Sequence, residues 1–403
     1  MVDVSCSGKF HAFALSEQLE KNGMLNGLYT TYAFQKNTFL RKFVKRTDKE
    51  KIPISKINTN TFLAFPIKLL PGSGYFWLDL FDRWVARKIR KSNSKIFIGW
   101  SGMSLHSIRA AKSSDKITIL ERGSSHINFQ NQILKDEYKK FGINFSINHR
   151  IIKKELKEYE EADYISIPSL FVKNSFLEQG VKEDKLIMNP YGVSDFFNIP
   201  LERLNNKKFT ILYLGTLSIR KGLKYLFEAL NILKINTDEY EVWFIGSVDK
   251  ELIEIINISE KNNWKFFGHI NHYDLNKYII QCDVAIHPSI EEGFSMVIPQ
   301  LMACGVPVIA TTNTGGENII KDGIIGYIIP IRSPDTICEK IEVLFNNAEA
   351  LTTMKKNASE SVNNGFTWDD YGTRYLLNIN KKIKKYEKFT NKNFRVSCNT
   401  DSR

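Results

Sequence analysis

Long apolar runs and patterned cysteines are both missing from this sequence. No stretch reaches the roughly 18–20 consecutive apolar residues of a membrane-spanning helix, and the first residues lack the layout of a secretion signal. The cysteines are odd in number and never spaced as zinc ligands: Cys6, Cys282, Cys304, Cys338 and Cys398. These absences predict a cytoplasmic location and argue against a disulfide framework or a metal site.

The glycine pattern of a nicotinamide oxidoreductase is missing as well. No Gly-x-Gly-x-x-Gly with a downstream acid follows the first apolar segment, MVDVSC. Material for buried sheets is abundant, since 43% of the 403 residues are hydrophobic and 12% are aromatic. A chain of this length and composition predicts two folded domains.

Positive charge is concentrated in the first part of the chain. Residues 1–150 hold 25 Lys and Arg against 11 Asp and Glu, a net charge of +14, whereas residues 151–403 hold 31 against 33, a net charge of −2. Much of the excess lies in FLRKFVKRTDKEK (39–51) and FWLDLFDRWVARKIRKSNSK (76–95). Such an imbalance favours an anionic partner for the N-terminal part.

The second basic segment has the pattern of an amphipathic helix. Apolar residues recur at roughly helical spacing at Phe76, Leu80, Trp84 and Ile89, with Arg and Lys on the other faces. A surface helix whose apolar stripe is core, a peripheral contact with an anionic membrane on its inner face, and nucleic-acid binding all fit. No zinc-finger or RNA-recognition pattern supports the last, so no nucleic-acid partner is expected.

Apolar strands alternate with helical segments along both halves of the chain. The predicted strands lie within residues 1–6, 95–100, 116–122, 159–169, 209–215, 240–247, 264–270, 283–289 and 306–312. This pattern predicts an α/β protein of two Rossmann-like, doubly wound parallel sheets that face a cleft. We expect an N-terminal domain at 1–200, a C-terminal domain at 201–367, a terminal helix at 368–390 and a polar tail at 391–403.

Two turns of the C-terminal half carry the chemistry expected for binding a diphosphate. LGTLSIRKG (214–222) leaves a strand at a glycine and brings Arg220 and Lys221 to the start of a helix, where side-chain charge and free amides can face one anion. In HPSIEEGFSMVIPQ (287–300), Ser295 is a candidate N-cap that would leave the amides of Met296 and Val297 free. A βα turn with solvated basic residues, and a simple N-cap, are the plainer interpretations.

These motifs resemble the retaining glycosyltransferases of family four, also called group one. HPSIEEGFSMVIPQLMACGVPVIATTNTGGENIIKDGIIGYIIP, GTLSIRKGLKYLFEAL and NPYGV occur in that family's order over residues 188–365, and GKFHAFALSEQL and ERGSSHINF match more loosely. The resemblance implies the GT-B fold, with a nucleotide-sugar donor on the C-terminal domain and the acceptor on the N-terminal one. It also implies that the terminal helix crosses back to the N-terminal domain.

The resemblance also implies roles for individual residues. Glu292 falls on the glutamate that holds donor sugar hydroxyls, and Lys221 on the lysine that binds the diphosphate. Two positions depart from the family: Thr216 replaces its usual arginine, for which Arg220 would substitute, and Gln300 replaces the glutamate that grips the ribose. Further donor contacts are expected at Gly215, Gly293, Phe294, Ser295, Met296 and Val297.

The N-terminal half offers weaker candidates. Gly8 would let the backbone approach the diphosphate, and His126 matches best the family's histidine near the donor sugar. His11 is open between packing and a phosphate contact, and Glu121 between an acceptor-side carboxylate and a helix-capping acid. Arg122 and Ser125 are further candidates.

The expected function is transfer of a sugar from a nucleotide diphosphate sugar to a glycan or glycolipid acceptor in surface-polysaccharide assembly. Lys221, Arg220, Glu292 and His126 are the expected catalytic residues. No Asp-x-Asp triplet occurs, so neither a metal nor another cofactor is expected. A nucleotide-sugar epimerase of the same fold and a non-catalytic sugar-binding subunit remain alternatives.

Overall fold

A computed structural model describes residues 1–31, 51–63, 74–198, 208–255, 261–363 and 365–398 of the chain. Their strands form two parallel sheets, one in each half. The N-terminal sheet has the order β3-β2-β1-β4-β5-β6-β7 and is built from β1 Val2–Cys6, β2 Leu25–Thr30, β3 Ile57–Thr59, β4 Ile96–Trp100, β5 Ile117–Glu121, β6 Tyr164–Ile167 and β7 Leu186–Met188.

The C-terminal sheet repeats this arrangement with six strands. Its order is β10-β9-β8-β11-β12-β13, from β8 Phe209–Leu214, β9 Tyr240–Ile245, β10 Trp264–Gly268, β11 Val284–His287, β12 Val308–Thr311 and β13 Gly326–Ile329. The strand order reverses between β1 and β4 and again between β8 and β11, where ligands of doubly wound sheets bind beyond the carboxyl ends of the strands. The predicted fold of two doubly wound parallel sheets is confirmed.

Helices cover both sheets. They are α1 Ala12–Lys21, α2 Gly74–Ile89, α3 Leu105–Lys112, α4 Ile127–Lys139, α5 His149–Glu161, α6 Leu170–Glu178, α7 Leu223–Ile232, α8 Lys250–Ile255, α9 Leu275–Ile279, α10 Val297–Ala303, α11 Pro334–Asn346, α12 Ala348–Asn363 and α13 Trp368–Cys398. Within the described ranges, no helix combines the length and the apolarity needed to cross a bilayer.

Every predicted strand is present, and four others were not predicted. β2 contains Gly27 and Asn26, which weaken a strand pattern, while β3 and β7 have only three residues each. β13 is a four-residue strand that begins at a glycine. Each of these strands lies at or next to a sheet edge, where less apolar sequence is required.

Helix α2 is present, but its buried face differs from the predicted stripe. The buried residues are Phe81, Asp82, Val85, Ala86 and Ile89, so only the last of the four predicted stripe residues is buried. Phe76, expected to belong to the apolar stripe, is 57% exposed. The basic segment 39–51 lies outside the described residues except for Lys51.

The long helix α13 crosses back to the N-terminal half, as the resemblance implied. Asp369 at its start accepts hydrogen bonds from Gln18 Nε2 at 2.9 Å and Lys21 Nζ at 2.7 Å, both on α1. Further along, the Tyr375 hydroxyl donates to Glu121 Oε1 at 2.5 Å. The helix continues to Cys398, so the predicted start of the polar tail at residue 391 is too early, while the predicted linker at 198–208 lies largely outside the described residues.

Candidate active site

The two predicted phosphate-binding turns lie side by side at the carboxyl ends of β8 and β11. The Ile290 amide donates to the Arg220 carbonyl at 2.9 Å. Gly222 has a φ of 70°, and a Cβ built on it would lie 2.0 Å from the Pro288 carbonyl oxygen. Glycine is therefore required at residue 222 for the turns to meet, both for its backbone conformation and for its lack of a side chain.

Lys221 and Glu292 form the centre of this arrangement. The Lys221 ammonium lies 2.6 Å from Glu292 Oε1, and each side chain is 20% exposed. The other carboxylate oxygen, Oε2, lies 2.8 Å from His287 Nε2 and accepts from the Ser289 hydroxyl at 3.3 Å. Both predicted residues thus meet in one partly exposed cluster.

The charges around Glu292 keep it ionised. Burial opposes ionisation, but the Lys221 ammonium and the hydrogen bond from His287 together hold the pKa of Glu292 well below its ordinary value. Glu292 is therefore a carboxylate throughout the neutral range and can only accept hydrogen bonds. This suits a residue that orients hydroxyl groups, and it does not suit a proton donor.

Arg220 pairs with the neighbouring acid. One terminal nitrogen of Arg220 lies 2.8 Å from Glu291 Oε2, and Nε donates to the Glu291 carbonyl at 3.0 Å. Two consecutive cations on one turn therefore pair with two consecutive acids on the other. The difference lies in exposure, because Glu291 is fully buried whereas Glu292 is not.

The start of α10 differs from the prediction in its cap. Met296 is the N-cap residue of α10, and Ser295 lies one position earlier. The Ser295 amide donates to the Thr314 carbonyl, and the Ser295 carbonyl accepts from the Ile298 amide. The Ser295 hydroxyl is buried without a partner among the described residues, so the predicted side-chain cap is wrong. The predicted free amides are present: no described residue accepts from the amides of Met296 and Val297.

The remaining donor-site candidates of the C-terminal half differ in their surroundings. Gly215 has a φ of 142°, and the exposed Thr216 offers its carbonyl to the Tyr213 hydroxyl at 2.8 Å. Gln300 is half-buried, and its side chain makes no hydrogen bond to any residue that the structure describes. Phe294 instead packs on Tyr191 of the N-terminal half, with ring centroids 5.6 Å apart.

His126 is placed differently from its predicted role. Its Nδ1 accepts from the Asn128 amide at 3.3 Å, which caps α4, and its ring lies 5.0 Å from Tyr159 and 4.9 Å from Phe176. Burial, with the nearby Arg122 charge, lowers the pKa of His126 to about 4. The structure does not bring this side chain into the Lys221–Glu292 cluster, and a contact with the donor sugar stays a prediction.

Arg122 and Ser125 serve the loop that follows β5. Arg122 donates to the Ser125 carbonyl through Nε at 3.1 Å and through a terminal nitrogen at 2.9 Å. Ser125 in turn donates its hydroxyl to Glu291 Oε1 at 2.7 Å. The backbones of the loop after β5 and of the loop that holds Gly293 are in close contact, since a Cβ on Gly293 would lie 1.7 Å from the Gly123 carbonyl oxygen.

The first loop of the N-terminal half holds a second buried cluster. His11 Nε2 lies 3.0 Å from Glu121 Oε2, and the His11 ring lies 4.2 Å from that of Tyr191. Gly8 lies under the Phe10 ring, which a Cβ on residue 8 would approach to 2.6 Å. Packing accounts for these contacts of Gly8, His11 and Glu121, and a phosphate contact by Gly8 stays a prediction.

Two residues of this site, His287 and Glu291, were not predicted from the sequence. His287 ends β11 and is contiguous with the recognised motif, which could have identified it. Glu291 gave no such signal, because an acid beside another acid in a loop is ordinarily a solvated residue. Its role depends on which surface of the other half covers it.

Comparison with known proteins finds similarity to glycosyltransferases over part of the chain. Residues 196–361 match the family model of glycosyl transferases group 1. The chain is 24% identical over 241 residues to a capsular polysaccharide biosynthesis glycosyltransferase, CapM, of Staphylococcus aureus, which covers 58% of this chain and 60% of the relative. The chain spans about half the length of the curated relatives it matches, 44% to 61% for the first of them.

Solved structures share the architecture over nearly the whole chain. Sucrose-phosphate synthase from Thermosynechococcus elongatus superposes with a TM-score of 0.72 at 16% identity, covering 95% of this chain and 99% of that one. Anabaena Alr3699/HepE in complex with UDP-glucose superposes with a TM-score of 0.66 at 14% identity, covering 94% and 99%. At these identities the likeness shows the fold, which is the GT-B arrangement of two facing Rossmann-like domains.

Proposed function

We propose that the chain, whose residues 196–361 match the family model of glycosyl transferases group 1, transfers a glycosyl group from a nucleoside diphosphate sugar to an acceptor hydroxyl. Transfer occurs with retention of the anomeric configuration and without a metal ion. The observation that carries the proposal is the Lys221–Glu292 pair at 2.6 Å, which lies at the switch point of a sheet. Glu292 precedes by four residues the first of two amides from which no described residue accepts.

Donor binding would redistribute the contacts of this pair. The Lys221 ammonium and the amides of Met296 and Val297 bind the diphosphate, whose two negative charges attract them more strongly than one carboxylate does. Glu292, held by His287 and Ser289, then accepts hydrogen bonds from the hydroxyls of the donor sugar. The ion pair of the free protein keeps both groups in place until the donor arrives.

Chemistry at this site depends on stabilising the leaving group. The bond from the anomeric carbon to the β-phosphate oxygen breaks, the acceptor oxygen bonds to the anomeric carbon on the same face, and the acceptor proton passes to the departing phosphate oxygen. Negative charge grows on the diphosphate, so fixed cations and amides lower the barrier. Glu292 remains ionised and supplies no proton.

Side chains replace a metal ion in this proposal. The sequence has no Asp-x-Asp triplet, the arrangement with which many other glycosyltransferases hold a divalent cation. Lys221, with Arg220 beside it, supplies the positive charge instead. Activity should therefore persist in excess EDTA, and its complete loss there, with recovery on adding Mg²⁺ or Mn²⁺, would contradict this part of the proposal.

The acceptor we propose is a growing surface glycan or its lipid-linked precursor. CapM is named for capsular polysaccharide biosynthesis, and HepE binds UDP-glucose in its complex. By extension, we propose that this chain acts in polysaccharide biosynthesis and that UDP-sugars are the first donors to test.

A peripheral contact with an anionic membrane would bring the chain to such an acceptor. On α2, Phe76 is 57% exposed, and Arg83, Arg87 and Lys88 are exposed as well. Phe62, 88% exposed, lies in the short turn Thr61–Leu63, which contacts the same helix. Exposed aromatic rings beside cations suit an interface with acidic lipids.

Cosedimentation tests this contact. The chain should bind vesicles that contain phosphatidylglycerol at low salt, and binding should weaken as salt rises toward 0.5 M, at which charge interactions are screened within about 4 Å. Phe76→Ser should weaken binding without changing the melting temperature. Equal binding to neutral vesicles, or none at low salt, would rule the contact out.

Turnover assays test the proposed transferase directly. A panel of UDP-, GDP- and dTDP-sugars is screened for thermal stabilisation, since a ligand at about 100 times its Kd adds roughly 2.7 kcal/mol of stability. The stabilising donor is then incubated with and without acceptor. Product that requires acceptor supports the transferase, release of an epimerised free sugar without acceptor indicates the epimerase, and binding without turnover indicates a non-catalytic subunit.

A further inference from the structure

We propose that Glu291 is a positioning residue through which the N-terminal half of the chain orients Arg220 at the donor site. The inference rests on the proposed function. Glu291 is fully buried, and a buried carboxylate is tolerated only when its oxygens are satisfied. Its partners come from both halves of the molecule.

The N-terminal half supplies three of the four hydrogen bonds to the Glu291 carboxylate. Oε1 accepts from the Ser125 amide at 3.2 Å and from the Ser125 hydroxyl at 2.7 Å. Oε2 accepts from Gln130 Nε2 at 3.0 Å. The fourth partner is Arg220 of the C-terminal half, at 2.8 Å from Oε2.

These N-terminal donors are themselves fixed by a buried ion pair. Arg122 donates to the Ser125 carbonyl and to Gln130 Oε1 at 2.9 Å, and another terminal nitrogen of Arg122 lies 2.7 Å from Glu155 on α5. A line of alternating charge therefore runs from Glu155 through Arg122 and Glu291 to Arg220. Glu155, at one end of this line, lies on α5.

Arg220 is held by residue 291 twice, through the carboxylate and through the backbone carbonyl. Its side chain is 37% exposed, so part of the guanidinium remains available to a ligand. If the two halves separate, the Glu291 carboxylate loses three of its four hydrogen bonds at once. The position of Arg220 therefore depends on the halves being in contact, although within the described ranges Arg220 makes no hydrogen bond or ion pair with a residue of the N-terminal half.

A second buried acid joins the halves and provides a matched control. Glu137 on α4 is fully buried and accepts from Arg332 Nε at 2.6 Å and from the Tyr225 hydroxyl at 2.8 Å. These two partners belong to the C-terminal half, while the ammonium of Lys140, at the end of α4, lies 3.4 Å from Glu137 Oε2. In the described part of the chain, neither Arg332 nor Tyr225 bonds Arg220, Lys221 or Glu292. Glu137 is thus equivalent to Glu291 in burial and in joining the halves, but it is not linked to the site.

The experiment compares Glu291→Gln with Glu137→Gln in the full chain. Both variants should lower the melting temperature, because each removes the charge of a buried acid, leaves a partly exposed arginine without its charged partner and loses a charged hydrogen bond. Only Glu291→Gln should also lower kcat/KM for the donor, by about 10–100-fold, because a misplaced charge at a reacting centre costs rate. Glu137→Gln should change kcat/KM by less than about 3-fold, within the range of independent sites.

A double-mutant cycle separates positioning from general loosening. On an Arg220→Ala background, Glu291→Gln should lower kcat/KM by no more than about 2-fold, because the residue it positions is already gone. The same cycle is measured on affinity for UDP and GDP by calorimetry, which needs no turnover. Glu291→Asp, which keeps the charge, should recover part of both losses.

Three results would overturn the inference: equal kinetic effects of Glu291→Gln and Glu137→Gln, effects of Glu291→Gln and Arg220→Ala that multiply in full, or no recovery in Glu291→Asp. Failure of the proposed function is recognised separately in the wild-type chain. A wild type that binds nucleoside diphosphates without transferring sugar contradicts the transferase and leaves the calorimetric cycle to decide the role of Glu291. A wild type that binds no nucleoside diphosphate overturns both.

Discussion

The two edges of the cleft carry similar polar side chains that differ in their exposure to solvent. On the C-terminal edge, Lys221, Glu292 and Arg220 pair with one another or their neighbours and remain 20–37% exposed. On the N-terminal edge, Arg122 and His126 also follow a strand end, yet they are 7% and 3% exposed and are occupied by internal contacts. Position at a strand end is thus shared, whereas availability to a ligand is not.

Exposure decides which edge can exchange partners. A partly exposed ion pair can give up one partner to a ligand at little cost, since such pairs are weak in water. A buried group that loses its partner keeps the full desolvation penalty. We infer that residues of the C-terminal edge carry out the chemistry. Residues of the N-terminal edge are held by internal contacts and position the C-terminal edge.

Lys221→Ala should have the largest effect. Loss of the ammonium removes the principal cation from the growing diphosphate charge and should cost roughly 2–4 kcal/mol of transition-state stabilisation, a factor of about 30–1000 in kcat. The matched control is Lys224→Ala one turn further along, whose partner Glu228 lies 3.8 Å away on the exposed face. Steady-state kinetics are measured for both variants. Equal activity in the two would contradict a phosphate-binding site on the C-terminal edge.

Glu292→Gln should have the next largest effect. The amide has one acceptor oxygen where the carboxylate has two, and it leaves Lys221 and His287 without a charged partner. We expect kcat/KM for the donor to fall about 10–100-fold, at roughly 1.5–3 kcal/mol for a charged hydrogen bond. Glu228→Gln is the control, and titration with the free nucleoside diphosphate, which has no sugar, should show a smaller loss than with the sugar donor.

His126→Asn tests the N-terminal edge. Asn retains the ability to cap α4 but leaves a cavity beside Tyr159 and Phe176, so stability should fall by about 1–3 kcal/mol while kcat changes by less than about 2-fold. A kcat loss of more than about 10-fold with an unchanged melting temperature would instead place His126 at the donor sugar, as the family resemblance implies.

The pH dependence of stability provides a second measurement on the same residue. The pKa of His126 is lowered to about 4 in the fold, against about 6.5 in an unfolded chain. Below about pH 6.5 the unfolded state binds a proton that the folded state refuses, so the His126 contribution is complete above that pH and is lost as pH falls toward 4. His126→Asn should therefore flatten the denaturation profile between pH 6.5 and 4.

The same contrast explains how much could be predicted from the sequence. Strands with long apolar runs, such as β8 and β11, were predicted because burial on both faces requires them. The pair Lys221 and Glu292 was predicted because each lies in a local motif and the fold brings strand ends together. Burial that depends on packing between distant segments could not be predicted. For this reason the role of Glu291 was not predicted, and His126 was assigned from its strand-end position alone.

The predicted N-cap of α10 was wrong for a related reason. Ser295 has the residue type and the position of an N-cap, but its amide and carbonyl are used by Thr314 and Ile298, which shifts the helix start by one residue. Local propensity gave way to a tertiary contact with the loop after β12. Such a contact between segments that are distant in sequence cannot be read from the helix itself.

Gln300→Glu should have the smallest effect, and it asks whether the C-terminal edge is complete as it stands. Gln300 is half-buried and its side chain is unengaged within the described residues, so an acid can enter without breaking a contact. A carboxylate accepts from both ribose hydroxyls where the amide accepts one bond, so donor affinity should rise by about 1 kcal/mol, roughly fivefold. Repulsion of the diphosphate opposes this gain and fades with salt, so calorimetry at two ionic strengths separates the two. Weaker binding at both would place Gln300 away from the ribose, leaving Lys221 and Glu292 as the tested core of the site.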